Sequence, residues 1–179
     1  MRRYSSRHGL HTLSELNVTP LLDLAFDYAD AGFKEDAAGL LETHLRHPLT
    51  PCAVPNPAAR TPMTLYVLAW IKQDSGLLEK ARRQSPDWFF PSRLHELLVL
   101  EWVMRKEGRD PVATYALGNQ LYDLKRHEDA IRAWQCAVND GADFPTVFRN
   151  LGIALWNTRR DGEAARECYE RALALDSTD

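Results

Sequence analysis

The 179 residues contain only three cysteines, Cys52, Cys136 and Cys168, an odd number at wide spacings. That pattern argues against a disulfide framework and lacks the paired spacing of a zinc or thiol-redox centre. A reduced, cytoplasmic setting is expected, with Cys136 and Cys168 acting as small apolar packing groups and Cys52, in a proline-rich stretch, as the reactive thiol. No run of about 18 apolar residues occurs, so no membrane-spanning helix is expected. The start, Met1 to Glu15, is basic and polar without an apolar centre, which speaks against an ordinary secretory signal. Residues 1–15 read as a disordered basic tail with Arg2, Arg3 and Arg7 solvated. Neither sign of charge dominates. A formal net charge of -3 argues against a general nucleic-acid binder, which carries a strongly basic face. The nine glycines are dispersed, so no phosphate-cradling loop is present.

Groups able to do chemistry are equally sparse. His8, His11, His44, His47, His95 and His127 show no metal-ligand spacing that brings carboxylates or thiolates to the same face. His44 and His47 share one helix side, lack a third ligand, and read as a surface or helix-terminal pair. His95 and Glu96 have no nucleophile beside them. Asp23 and Asp27 lie near a helix start, where acids complement the helix dipole. No catalytic residue, metal or cofactor is expected, and the chain is not read as an enzyme.

What the sequence does contain is a repeated phrase. Ala116-Leu117-Gly118-Asn119-Gln120-Leu121-Tyr122 recurs as Asn150-Leu151-Gly152-Ile153-Ala154-Leu155-Trp156, with Gly118 and Gly152 separated by 34 positions. Ala130, Trp134 and Ala137 follow the first copy, and Ala165, Tyr169 and Ala172 follow the second one residue late. A fixed period of this length marks a helical repeat array. Within each copy apolar residues recur at three and four, and a polar break such as Lys125 to Glu128 separates two halves, so each copy predicts an antiparallel helix pair. Gly118 and Ala130 are small where helices must approach closely, and Trp134 and Tyr169 fill the wedge between pairs. A unit of this kind buries its apolar face only by stacking on neighbours. Pro111 and Pro145 suit the first turns of their helices.

Leu117, Gly118, Tyr122, Ala130, Trp134 and Ala137, with Leu151, Gly152, Trp156, Ala165, Tyr169 and Ala172, resemble the tetratricopeptide repeat. Lys125 and Arg159 stand where that repeat usually has glycine between its helices, and Ala142 where a proline often closes it. The second copy has an extra residue around Asn157 to Asp161. In the amino-terminal half, Leu24, Ala25, Tyr28, Gly32, Ala37 and Leu41 fit one repeat. Leu68, Ala69, Gly76 and Ala81 fit another, cut short by Ser85-Pro86. The excess between Ala25 and Ala69 falls at Pro48, Pro51, Pro55, Pro57 and Pro62, so residues 48–62 read as an extended loop. Residues 92–107 read as an extra helix bearing Leu94, Leu98 and Trp102, ended by Gly108. The expected fold class is all-α. It is an α-α superhelix, or solenoid, over residues 16–179, with regular repeats at 111–143 and 145–175 and two irregular ones before them. Ser85 to Asp179 also resembles the repeat region of large bacterial proteins in which such repeats follow an amino-terminal β-rich domain thought to be carbohydrate-related. The alternative is therefore a structural segment of a larger protein of that kind.

The resemblance implies a non-catalytic scaffold holding a peptide or partner protein in a concave groove lined by the first helix of each pair. Carried over position by position, that lining is Tyr66, Trp70, Tyr115, Asn119, Tyr122, Asp123, Arg149, Ile153, Trp156 and Asn157, with Phe26, Asp30, Met63, Gln73 and Thr146 beside them. Aromatic rings with interspersed amides and an arginine suit peptide recognition. Asn119 and Asn150 reproduce the spacing by which some such domains clamp a terminal carboxylate. Tyr115 replaces the clamp's lysine, so a true clamp is not expected. The last apolar face, built from Leu155, Trp156, Tyr169 and Leu173, lacks a polar capping helix. It is expected to be a homodimer contact or the edge of a longer array.

Overall fold

A computed structural model describes residues 18–46, 62–87 and 89–176. The basic tail, most of the proline-rich loop, Cys52, His8, His11, His47 and Trp88 lie outside the described residues. Among those described, every regular element is helical, and the chain packs as two compact units, Met1–Phe89 and Phe90–Asp179.

In the first unit α1 (Val18–Asp30) pairs with α2 (Lys34–Arg46), and α3 (Met63–Lys72) with α4 (Ser75–Arg82). In α1, Leu21, Leu22, Ala25, Phe26 and Ala29 are buried, one stripe of an amphipathic helix. Its partner α2 answers with Ala37, Ala38 and Leu41. The turn between them places Gly32 at φ 88°. The α3 helix is apolar nearly all round, and a helix of that kind is enclosed rather than surface-lying. Met63 to Ala69 are all buried, and Phe89 stacks on Tyr66 at 6.1 Å between ring centroids. An exposed ion pair, Lys72 Nζ to Glu42 Oε1 at 2.6 Å, clips α3 to α2.

The second unit begins with α5 (Leu94–Glu107), followed by α6 (Pro111–Asp123), α7 (His127–Asn139), α8 (Pro145–Ala154) and α9 (Gly162–Asp176). Glu96, buried at the head of α5, accepts from the Ser92 and Arg93 backbone N–H groups at 2.8 and 2.9 Å. That satisfies donors every helix start leaves open. Gly108, at φ 71°, ends α5. Asp110 caps α6 by accepting from Ala113 N–H at 3.0 Å, with Pro111 in the first turn.

The repeat pattern is realised as two stacked pairs, α6 with α7 and α8 with α9, and α7 packs on α8. A Cβ added at Gly118 would lie 2.5 Å from Trp134 Cδ1, and one at Gly152 would lie 2.9 Å from Tyr169 Cε1. The absence of a side chain thus lets each large ring lie directly on the facing helix. Trp134 is almost fully buried, and its indole N–H faces the Tyr115 carbonyl and Asn119 Oδ1, each at 3.2 Å. Around it Ile131, Val147, Leu151 and Leu155 close one core.

The extra residue of the second copy has a definite place. Leu155–Arg159 forms a single π-helical turn, the way a helix absorbs one inserted residue without breaking. The residue in the left-handed conformation between the helices is consequently displaced by one. Lys125 takes it in the first repeat at φ 63°, and Arg160 takes it in the second at φ 56°. Arg159, expected there from its place in the repeat, instead reaches back to Glu128 on α7 at 2.7 Å. These are tetratricopeptide-like helix pairs in an all-α fold.

Candidate partner-binding face

The positions expected to line a groove do not share one environment. Tyr66 and Tyr115 are fully buried, as are Phe26 and Met63 to within about 2%, so their rings and chains are core rather than lining. For Tyr66 the cause is the enclosure of α3 beneath Phe89. For Tyr115 it is Phe144, whose ring meets it edge-on at 5.0 Å. Asn119 is buried too. Its Oδ1 accepts from Asn150 Nδ2 at 3.0 Å as well as from Trp134, so the amide pair spaced like a carboxylate clamp ties α6 to α8. Tyr122 is half-buried, packed on Trp134 and His127 at 5.6 and 4.5 Å. Trp70 is half-buried beside Phe26 at 6.2 Å. Asp123 is exposed.

The corresponding positions one repeat later are open. Arg149, Ile153, Trp156 and Asn157 occupy the places of Tyr115, Asn119, Tyr122 and Asp123, and all four are exposed. They recur at four, three and one along α8 and its π turn, and so share one face. Ile153 is 38% and Trp156 50% exposed, a large apolar area between a cation and an amide.

Trp156 also borders a second feature. It joins Gly162, Ala165, Arg166, Tyr169, Glu170 and Leu173 around a shallow, mainly apolar groove of about 510 Å³ on the outer side of α9. Tyr169 is 41% and Leu173 70% exposed, whereas Leu155, expected on this face, is buried. The arrangement follows from the repeat: Trp134 is covered by α8, while its counterpart Tyr169 has no described helix over it. The apolar spacing of Ala165, Tyr169 and Leu173 was visible in the sequence. Arg166 and Glu170, which form an ion pair at 2.6 Å on the groove's rim, carried no such signal. The Arg160 guanidinium lies 6.0 Å from the Trp156 ring centroid.

Chemistry beyond packing is thin on these faces. Partial burial holds the Cys168 thiol above its ordinary value, with Glu167 adding to it, which keeps it protonated and weakly nucleophilic. Cys136, read from sequence as a packing group, is exposed, its Sγ 3.6 Å from Asp140. Among the described residues no three His, Cys, Asp or Glu side chains gather as a metal site. No described helix is long and apolar enough to cross a membrane.

No protein-family model and no curated protein matches the chain. Among solved structures, a crystal structure of MamA aligns with 90% of this chain and 79% of its own at 19% identity and a TM-score of 0.46. A MamA fragment from Desulfovibrio magneticus RS-1 aligns over 91% of this chain and 97% of its own at 20% identity and a TM-score of 0.44.

Proposed function

We propose that the chain is a non-catalytic protein-interaction scaffold whose last helix pair holds a peptide or partner protein. The observation that carries this reading is the contrast between equivalent positions: Tyr115 and Asn119 are closed within the stack, while Arg149, Ile153 and Trp156 present a mixed apolar and cationic surface to solvent. Aromatic and arginine side chains are the types enriched among those that dominate binding energy at protein interfaces. Contact between two copies through the last helix belongs to the same reading.

The test is capture of partners by the immobilised chain against a variant carrying Arg149→Glu and Ile153→Asp. Both side chains are exposed, so circular dichroism melts of the variant should match wild type. Tyr122 is a poorer probe because its ring supports Trp134. Partners retained by wild type should be lost by the variant. Retention of the same partners by both would refute the placement of the site on α8.

A further inference from the structure

We infer that the exposed face of α8 takes an acidic segment of a partner chain, with side-chain carboxylates meeting Arg149 and Arg160 on either side of an apolar residue seated on Ile153 and Trp156. The inference rests on the scaffold reading and names the chemistry of the partner.

Charge along this stretch is of one sign. From Pro145 to Arg160 the chain carries three arginines and no acid. Arg159 is held by Glu128. The arginines elsewhere in this unit are likewise held by its own acids, as Arg126 is by Asp129 and Arg171 by Asp143. Arg149 and Arg160 are the exceptions: both are exposed, and among the described residues neither has an ion-pair partner. Asp161, next in sequence to Arg160, is engaged in capping α9, its Oδ1 accepting from the Ala164 N–H at 3.0 Å. Glu163 stands in the first turn of α9, where an acid complements the helix dipole. Asp123, exposed at the end of α6, is the acid of the preceding first helix and bounds the cationic stretch on that side.

The π turn supplies the second cation. In the first pair Tyr122 packs on Trp134 at 5.6 Å. Its counterpart Trp156 instead lies beside Gly162, with the Arg160 guanidinium 6.0 Å from its ring centroid. A guanidinium so placed is drawn to the indole face and still has N–H donors to offer a carboxylate in bidentate fashion. The order along the face is therefore cation, aliphatic, indole, cation. Eleven positions separate the two arginines, which is about 16 Å at a helical rise of roughly 1.5 Å per residue. An extended chain covers that distance in about five residues. The complement is thus a segment with two acids about that far apart and an apolar side chain between them. A basic segment would oppose like charges at both ends and is rejected.

Selection from a displayed library of random peptides by the immobilised full chain tests this. The peptides are fused at their carboxyl ends, so only side-chain carboxylates are offered. Wild type should enrich sequences with acids about four to six positions apart around an aliphatic or aromatic residue. A selected peptide, synthesised with an amidated end, should bind Arg160→Glu at least about 10-fold more weakly in fluorescence anisotropy, and should bind wild type less tightly as salt rises. The double variant Arg149→Glu with Arg160→Glu should select basic sequences instead. Its melt should match wild type, because both side chains are exposed. Enrichment of sequences without acids, acidic sequences selected equally by the double variant, or no enrichment at all would overturn the inference. Peptides or partners lost on Ile153→Asp but indifferent to Arg160→Glu and to salt would leave the scaffold reading standing and sink only the acidic partner.

Discussion

Replacing Gly118 by alanine adds one methyl group, and the stack has no room for it. The new Cβ would lie 2.5 Å from Trp134 Cδ1, far inside van der Waals contact, so the indole must withdraw or the two helices must part. Overpacking of this kind costs about 1–3 kcal/mol. Withdrawal would also strip the indole N–H of the Tyr115 carbonyl and Asn119 Oδ1, worth roughly 1 kcal/mol. Against this, alanine in a helix interior gains about 1 kcal/mol over glycine. The net expectation is destabilisation by about 1–3 kcal/mol. Two further variants calibrate the argument. Gly152→Ala should cost less, because its new Cβ would lie 2.9 Å from the 41%-exposed Tyr169 ring and 3.2 Å from the Ala165 carbonyl and Cys168 Cβ, milder contacts than at Gly118. Gly39→Ala in α2, where a Cβ meets nothing within 4 Å, should stabilise by about 0.5–1 kcal/mol. Equilibrium urea unfolding of the full chain, followed by far-ultraviolet circular dichroism, gives the ordering. If Gly118→Ala proves as harmless as Gly39→Ala, the close crossing of α6 and α7 is not what packs the repeat.

Three other expectations follow from the same geometry. Lys125→Gly and Arg160→Gly should be neutral or stabilising by up to about 1 kcal/mol in urea titrations, because both residues occupy left-handed backbone that costs a side chain roughly 1–2 kcal/mol. Arg159→Gly should instead destabilise, since that residue is helical and bridges to Glu128. Asn119→Ala should destabilise by about 1–3 kcal/mol by removing the shared acceptor of Trp134 and Asn150, read as a lower urea midpoint. The hydrogen bond and charge of Lys72 hold the Glu42 carboxyl below its ordinary value near 4.5. A depressed carboxylate contributes stability above that value and loses it as pH falls through the lower folded one. Glu42→Gln should therefore melt lower than wild type at pH 7, by at most about 1 kcal/mol for so exposed a pair, and the difference should shrink as the pH falls below the ordinary carboxylate value.

The helix pairs were legible because their signal is local: small residues, a large ring and an apolar period recur at one spacing, and each demands the same crossing. The extra residue near Asn157 was also legible, but not its form. A π turn moves the left-handed position from Arg159 to Arg160, and nothing in the repeat frame distinguishes that from a longer loop. Site residues were harder to read, because a register assigns a face and not what covers it. Tyr115 and Arg149 occupy the same register, yet Phe144 packs on the first while the second is exposed. Tyr66 was misplaced as lining because an aromatic at a first-helix position looks the same whether α3 is half covered or enclosed. Enclosure depends on Phe89, 23 residues away in sequence, and on α2. The Arg166–Glu170 rim was missed because an acid and a base four apart occur on most solvated helices.

Hydroxyl-radical footprinting of the dilute, monomeric full chain puts the account to its most direct test, by measuring which rings each helix pair closes. Trp156, Tyr169 and Leu173 should be oxidised at rates near those of exposed residues, while Trp134 and Tyr115 should be strongly protected. Oxidation of Tyr115 or Trp134 as fast as Tyr169 would contradict the stacking of α8 on α7, and with it the assignment of the last helix pair as the open, partner-binding surface.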